Sequence, residues 1–188
     1  MRYAGVHSDQ VNYTFIAADC GDQPRTDNGQ RGRLEGWFPS LLRCEWSVTG
    51  GTTLTYNCIA WSAGLTHRWV DPTIFIPGVG HVAEAWDSYG VRHVSIDKAY
   101  GDGDNVFETS DLDAFYAKEA SLTPTASGPS DATVMYYDGY HAARKKGCWC
   151  GAGKWIMYES KCGSAERIEH VCDQLDGSSY GARIRYYK

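Results

Sequence analysis

The sequence predicts an α+β domain in which N-terminal helices pack on an antiparallel sheet. Two patterns and a composition carry that expectation. Short apolar segments with helical spacing occur up to about residue 120. After residue 131 the apolar positions alternate with a period of two and are broken by tight turns, which is how antiparallel strands read. The chain also carries 7 Trp, 13 Tyr, 5 Phe and 21 Gly, a supply that suits a turn-rich sheet better than a helical bundle.

Its 188 residues suit one domain of ordinary size. With 43% hydrophobic and 22% charged residues, the composition excludes a disordered chain, a coiled coil and a collagen-like repeat. The longest apolar-rich stretches, such as Val70–Gly80, are broken by Pro or Asp and fall well short of the ~20 apolar residues of a membrane span. A net charge of −5 leaves no basic footprint, so neither nucleic acid nor a membrane is an expected partner, and a monomer is expected.

Taken in order, residues 1–36 include the Gly-rich, charge-alternating run Asp19–Gly36 and read as an irregular extension, leaving 37–188 as the domain. Trp46–Tyr56 alternates like a strand, interrupted at Gly50-Gly51. Asn57–Leu65 turns small and apolar and predicts a short helix with Gly64 near its stop. His81–Tyr89 places Val82, Ala85, Trp86 and Tyr89 at helical spacing with Gly90 behind them, which predicts another helix. Ser110-Asp111-Leu112-Asp113 resembles an N-cap with an acidic residue three positions on, opening a helix to about Ala120. Asp102-Gly103-Asp104-Asn105 resembles a fragment of a calcium loop but lacks the twelve-residue frame and its closing Glu, so a plain turn and no metal are expected. Leu122–Asp131 is a surface loop. Ala132–Tyr137, His141–Lys145, Lys154–Lys161 and Ala182–Tyr187 read as strands, with a hairpin turn over Gly147–Gly153.

Chemistry points to a thiol. Cys58 stands at the start of its predicted helix, where the partial positive charge of the helix end favours a thiolate. His141 heads a later strand, and that order suits a nucleophile and its general base. A third group must orient the imidazole. With a turn over Gly147–Gly153, His141 and Glu159 fall opposite one another; Ser160 lies on the other face of the same strand and is the alternative. Asn57 is a candidate helper at the oxyanion site, with a helix N-cap as its commoner role. His170 is an alternative imidazole partner or a structural residue, and Trp61 a candidate for the substrate cleft or for the core.

Seven cysteines are an odd number. If Cys58 is the nucleophile, Cys20, Cys44, Cys148, Cys150, Cys162 and Cys172 remain and could form three disulfides. That outcome would favour a secreted or exported protein, and free thiols a cytoplasmic one. Met1–Gln10 has no apolar core of a signal peptide. A zinc site built from Cys148, Cys150, Cys162, Cys172 and His170 lacks the usual two-to-four-residue ligand spacing, so no cofactor is expected.

Tyr56-Asn57-Cys58-Ile59-Ala60-Trp61-Ser62-Ala63-Gly64 resembles the YNCIAWA-G motif of an uncharacterised microbial domain family. The preceding Phe38-Pro39-Ser40-Leu41 and the following Arg68-Trp69 with Pro72, Tyr89-Gly90, His141-Ala142-Ala143-Arg144, Glu159-Ser160-Lys161-Cys162-Gly163 and Ile168-Glu169-His170 are similar to its other motifs, in order. The resemblance implies a papain-like cysteine hydrolase fold, akin to cell-wall amidases and endopeptidases. CHAP-type amidases carry a Glu on the strand after the His, which would favour Glu159. The expected activity is hydrolysis of an amide bond in a peptide, protein or peptidoglycan substrate, through Cys58, His141 and Glu159 or Ser160. An acyltransferase or transglutaminase-like enzyme, or a disulfide-stabilised secreted effector or toxin without turnover, are the alternatives.

Overall fold

The computed structural model describes residues 28–41, 46–150, 154–172, 174–176 and 179–188. Its centre is a six-stranded antiparallel sheet in the order β1-β10-β9-β8-β7-β11. These strands are β1 (Ser47–Gly50), β7 (Val134–Tyr137), β8 (His141–Cys150), β9 (Lys154–Lys161), β10 (Arg167–Val171) and β11 (Arg183–Tyr187). A smaller sheet, β2 (Trp69–Asp71), β6 (Arg92–Ser95) and β5 (Glu84–Trp86), and the pair β3 (Phe75–Ile76) and β4 (Gly80–His81) lie in sequence between the second and third helices. The helices are α1 (Asn28–Trp37), α2 (Cys58–Ser62), α3 (Ile96–Tyr100), α4 (Thr109–Ala120) and α5 (Gly128–Asp131). The architecture is α+β with mostly antiparallel sheets.

Both faces of the main sheet are buried, and strand β7 shows how. Val134 and Tyr136 pack with Ile59, Ala60, Leu112, Phe115 and Tyr116 of α2 and α4. Met135 and Tyr137 pack on the reverse with Leu34 of α1, Phe38, Trp46, Tyr158 and Ile168. Successive side chains leave a strand on opposite sides, so four consecutive buried residues require a layer on each. The rear layer is anchored by a half-exposed Arg33 of α1, which ion-pairs with the buried Glu166. The irregular extension expected over 1–36 is therefore corrected for 28–36: α1 is helical and places Leu34 in the core, while 1–27 lie outside the described residues.

Helix α4 forms as expected, but its cap lies two residues before Ser110: Glu108 is at the cap and Asp111 closes a capping box back onto the Glu108 amide at 2.9 Å. Strand β9 has the expected bounds. The helix expected over His81–Tyr89 is absent; β4 and β5 stand in its place, and Glu84–Trp86 pair with β6. Trp86 and Tyr89 are 69% and 76% exposed. No surface exists there for an apolar helical stripe to bury, so strand pairing prevails over spacing. The strand expected over Trp46–Tyr56 shortens to β1, which pairs with β10.

Candidate functional site

Helix α2 is only five residues long, and Asn57 makes its start. The Asn57 side chain accepts from the Ala60 amide at 3.1 Å and the Val70 amide at 3.3 Å, and donates to the Val70 carbonyl. It caps the helix and clamps it to β2, which spends every polar atom of the amide. The oxyanion role considered for Asn57 is thus displaced by the capping one. Asn57→Ala should lower stability by about 2 kcal/mol, combining the lost cap with orphaned Val70 groups, as read by urea denaturation.

Cys58 is the first residue of α2 and is 6% exposed. Its thiol lies against the start of β8, donating to the Tyr140 carbonyl at 3.6 Å and accepting from the Ala142 amide. These two peptide groups flank His141. Burial raises the thiol pKa to about 11, against the pull of the Ala142, Ile59 and Cys58 amides and of Lys161. The thiol is protonated at neutral pH. Tyr140 holds φ of 57°, a left-handed conformation uncommon outside glycine, at the residue that delivers His141 into the strand.

The side chain of His141 does not meet that thiol. Ala142 packs with Cys58 on the α2 side and Ala143 on the α1 side, so alternation sends His141 rearward with Ala143. There its ring stacks on Tyr180 at 3.5 Å and 4°, beside Tyr137 at 5.4 Å. It is wholly buried, neither ring nitrogen has a hydrogen-bond partner, and burial with the nearby His170 holds its pKa well below the usual value. A neutral imidazole and a neutral thiol thus sit on two sides of one strand start.

The expected register of the β8–β9 hairpin is corrected. Glu159 pairs with Arg144 and Ser160 with Ala143, three residues from the expected pairing of His141 with Glu159. Strand β8 runs on to Cys150, with an irregularity between Lys145 and Gly147, so the turn falls later than a centre near 150. The displacement is odd, and it exchanges the faces. Glu159 points to the α2 side, ion-paired with Arg167 at 3.1 Å and Lys146 at 3.5 Å. Arg167 in turn lies over the half-buried Trp61 ring at 4.2 Å. Ser160 shares the rear face with His141, and its hydroxyl meets His170 Nε2 at 2.8 Å. His170 Nδ1 donates to the Val171 carbonyl at 2.8 Å, so Nε2 accepts from Ser160. Burial lowers the His170 pKa to about 4, and the ring is neutral.

Three more residues meet at this sheet end, and the sequence reading gave none of them a role at the site. Tyr180 covers His141 and hydrogen-bonds Cys162. Cys162 is a buried thiol whose pKa burial raises to about 12. Lys161 is fully buried, bonds the Gly163 and Ala165 carbonyls, and is lowered to about 8 by burial. The signal for Tyr180 was Gly139, where a Cβ would meet the Tyr180 carbonyl at 2.7 Å.

Cys162 is a free cysteine, like Cys58, and this corrects the pairing of all six remaining cysteines. It lies in the rear core, where a thiol serves as a small apolar side chain. Cys20 and Cys44 lie outside the described residues. Alkylation after unfolding without reductant should modify both Cys58 and Cys162, as peptide mass spectrometry would show; a disulfide at Cys162 would contradict the structure.

Residues 47–188 match a family model described as Domain of unknown function (DUF7689). The chain belongs to this family. The DUF7689 match contains Cys58, His141, Glu159, Ser160 and His170, whereas α1 precedes it. No curated protein and no solved structure matches the chain. No described helix is long and apolar enough to cross a membrane.

Proposed function

We propose that this DUF7689 chain is a cysteine-dependent amide-bond hydrolase of papain-like fold, acting on a peptide, protein or peptidoglycan, and that its closed state is the one described above. The observation that carries this reading is the seat of the Cys58 thiol against the Tyr140 carbonyl and the Ala142 amide, one residue to either side of His141. His141 is the first residue of β8 and follows the left-handed Tyr140, so in the open state its ring leaves Tyr180 and turns around the start of the strand toward the thiol. In that arrangement His141 takes the Cys58 proton, the thiolate attacks the carbonyl carbon, and the imidazolium protonates the leaving amine. The Cys58 amide at the start of α2 is the natural donor to the oxyanion. Water activated by His141 then releases the acid and restores the thiol; an amine in its place would give acyl transfer. Glu159 is committed to Arg167 on the other face, so the residues nearest to a supporting role are Ser160 and His170.

A second reading has its own observation. Both reactive groups are buried and neutral, as they would be in a binding protein that keeps the fold without turnover. Tyr180→Ala distinguishes the two, because it uncovers His141. Under the enzymatic reading, iodoacetamide at neutral pH modifies Cys58 much faster in that variant than in the wild type, and a screen of peptide and peptidoglycan substrates finds turnover. Equal inertness of Cys58 in both proteins, with no turnover, supports the binding module.

A further inference from the structure

A second site lies on the loop that joins α3 to α4, away from Cys58 and independent of the function proposed for it. Asp97, the second residue of α3, is completely buried, and neither of its carboxylate oxygens has a hydrogen-bond partner. A carboxylate withdrawn from water with no donor and no cation is among the most unfavourable arrangements a fold can hold. The chain surrounds it with more negative charge. Asp102 and Asp104, both exposed, bring carboxylate oxygens so close that one oxygen from each of the three residues lies within 4.8 Å of the others.

The loop conformation presents those oxygens together. Asp102 Oδ1 accepts from the Asp104 amide at 3.1 Å, and Asp104 Oδ1 accepts from the Val106 amide at 2.7 Å. Each carboxylate is thereby fixed through one oxygen and keeps a second to offer. Gly103 at φ 75° and Asn105 at φ 78° fold the backbone tightly enough to bring the two aspartates back toward α3. Lys98 is the nearby cation, but its ammonium is held on the Gly103 carbonyl and forms no salt bridge with any of the three aspartates. Among the described residues no cation pairs with Asp97.

The geometry points to a calcium-binding site made by Asp97, Asp102 and Asp104. Three anionic oxygens with no nitrogen or sulfur donor suit a hard cation and disfavour zinc or copper. Calcium tolerates an irregular ligand set and fills its remaining positions with water, whereas magnesium demands a nearly ideal octahedron. With three protein carboxylates, two of them solvent-exposed, the affinity falls in the weak range of about 10⁻⁴–10⁻³ M typical of extracellular modules. The plain turn expected at Asp102–Asn105 is thus one arm of a site whose other arm is buried five residues earlier. Its cation would tie α3 to the loop that enters α4, and α4 meets α2 through the Tyr116 hydroxyl on Ser62 Oγ at 2.7 Å.

Thermal unfolding and titration calorimetry of the full chain with CaCl2 test the site. Millimolar CaCl2 should raise Tm by several degrees over the EDTA-treated protein, with one binding event per chain and a smaller response to MgCl2. Asp97→Asn should abolish the calcium response and leave the calcium-free Tm equal or higher, since it removes an uncompensated buried charge. If that variant does not fold, the exposed pair Asp102→Asn/Asp104→Asn serves instead and should lose the response while keeping the calcium-free Tm. A wild-type protein whose Tm and calorimetric trace CaCl2 leaves unmoved, or variants that respond as the wild type does, would overturn the assignment.

Discussion

Cys58→Ser should abolish turnover on any substrate that the wild type cleaves, a loss of several orders of magnitude, while circular dichroism and Tm stay close to wild type. The Cys58 thiol is the nucleophile of the proposed mechanism, and the hydroxyl that replaces it is far harder to ionise. The fold should tolerate the change because the sulfur donates one long hydrogen bond, at 3.6 Å, to the Tyr140 carbonyl and accepts from the Ala142 amide, and a hydroxyl can do both. Comparing the initial rate of the two purified proteins on the same substrate is the measurement. Wild-type activity in the serine variant would remove Cys58 from the mechanism.

Acid should destabilise the protein steeply between neutrality and about pH 4. His141 and His170 are buried as neutral rings, and both pKa values lie below the ordinary histidine value, His170 at about 4. The sign follows from proton uptake. In the unfolded chain both rings bind a proton as pH falls through about 6.5, while in the folded chain they do not, so protons favour unfolding. The stabilisation is complete above pH 6.5 and is lost as pH falls toward the folded-state values. Each ring contributes a slope of about 1.4 kcal/mol per pH unit in that window, or about 2.7 kcal/mol for the two together. Urea denaturation at a series of pH values from 7.5 to 4.5 measures it. His170→Asn should roughly halve the slope, and a wild-type stability independent of pH over this range would show that the rings are not buried as described.

The difference between Glu159 and Ser160 shows where reading the sequence stops. That these residues lie on one strand and face opposite ways is legible from the alternation of Lys154–Lys161, and β9 has those bounds. Which of the two shares a face with His141 depends on whether the hairpin offset is odd or even. One irregularity between Lys145 and Gly147, with a turn displaced beyond Cys150, decided that parity. Local propensity does not count residues across a bulge.

The sequence by itself determined the elements whose signals are local: the Asn57 cap and the helix after it, the existence of α4, the strands β7 and β9, and the start of β8. A side-chain cap, an acidic first turn and a period of two act over a few residues, and no distant partner is needed to read them. The tertiary structure alone decided that Glu84–Trp86 would pair with β6 rather than coil, that α1 and its Leu34 would cover the rear of the sheet, and that Asp97 would be buried five residues before Asp102. It also decided that His141 would stack on Tyr180 instead of meeting Cys58. Each of these depends on which layer lies on which side of a sheet buried on both faces, and that choice is made by segments far apart in the chain.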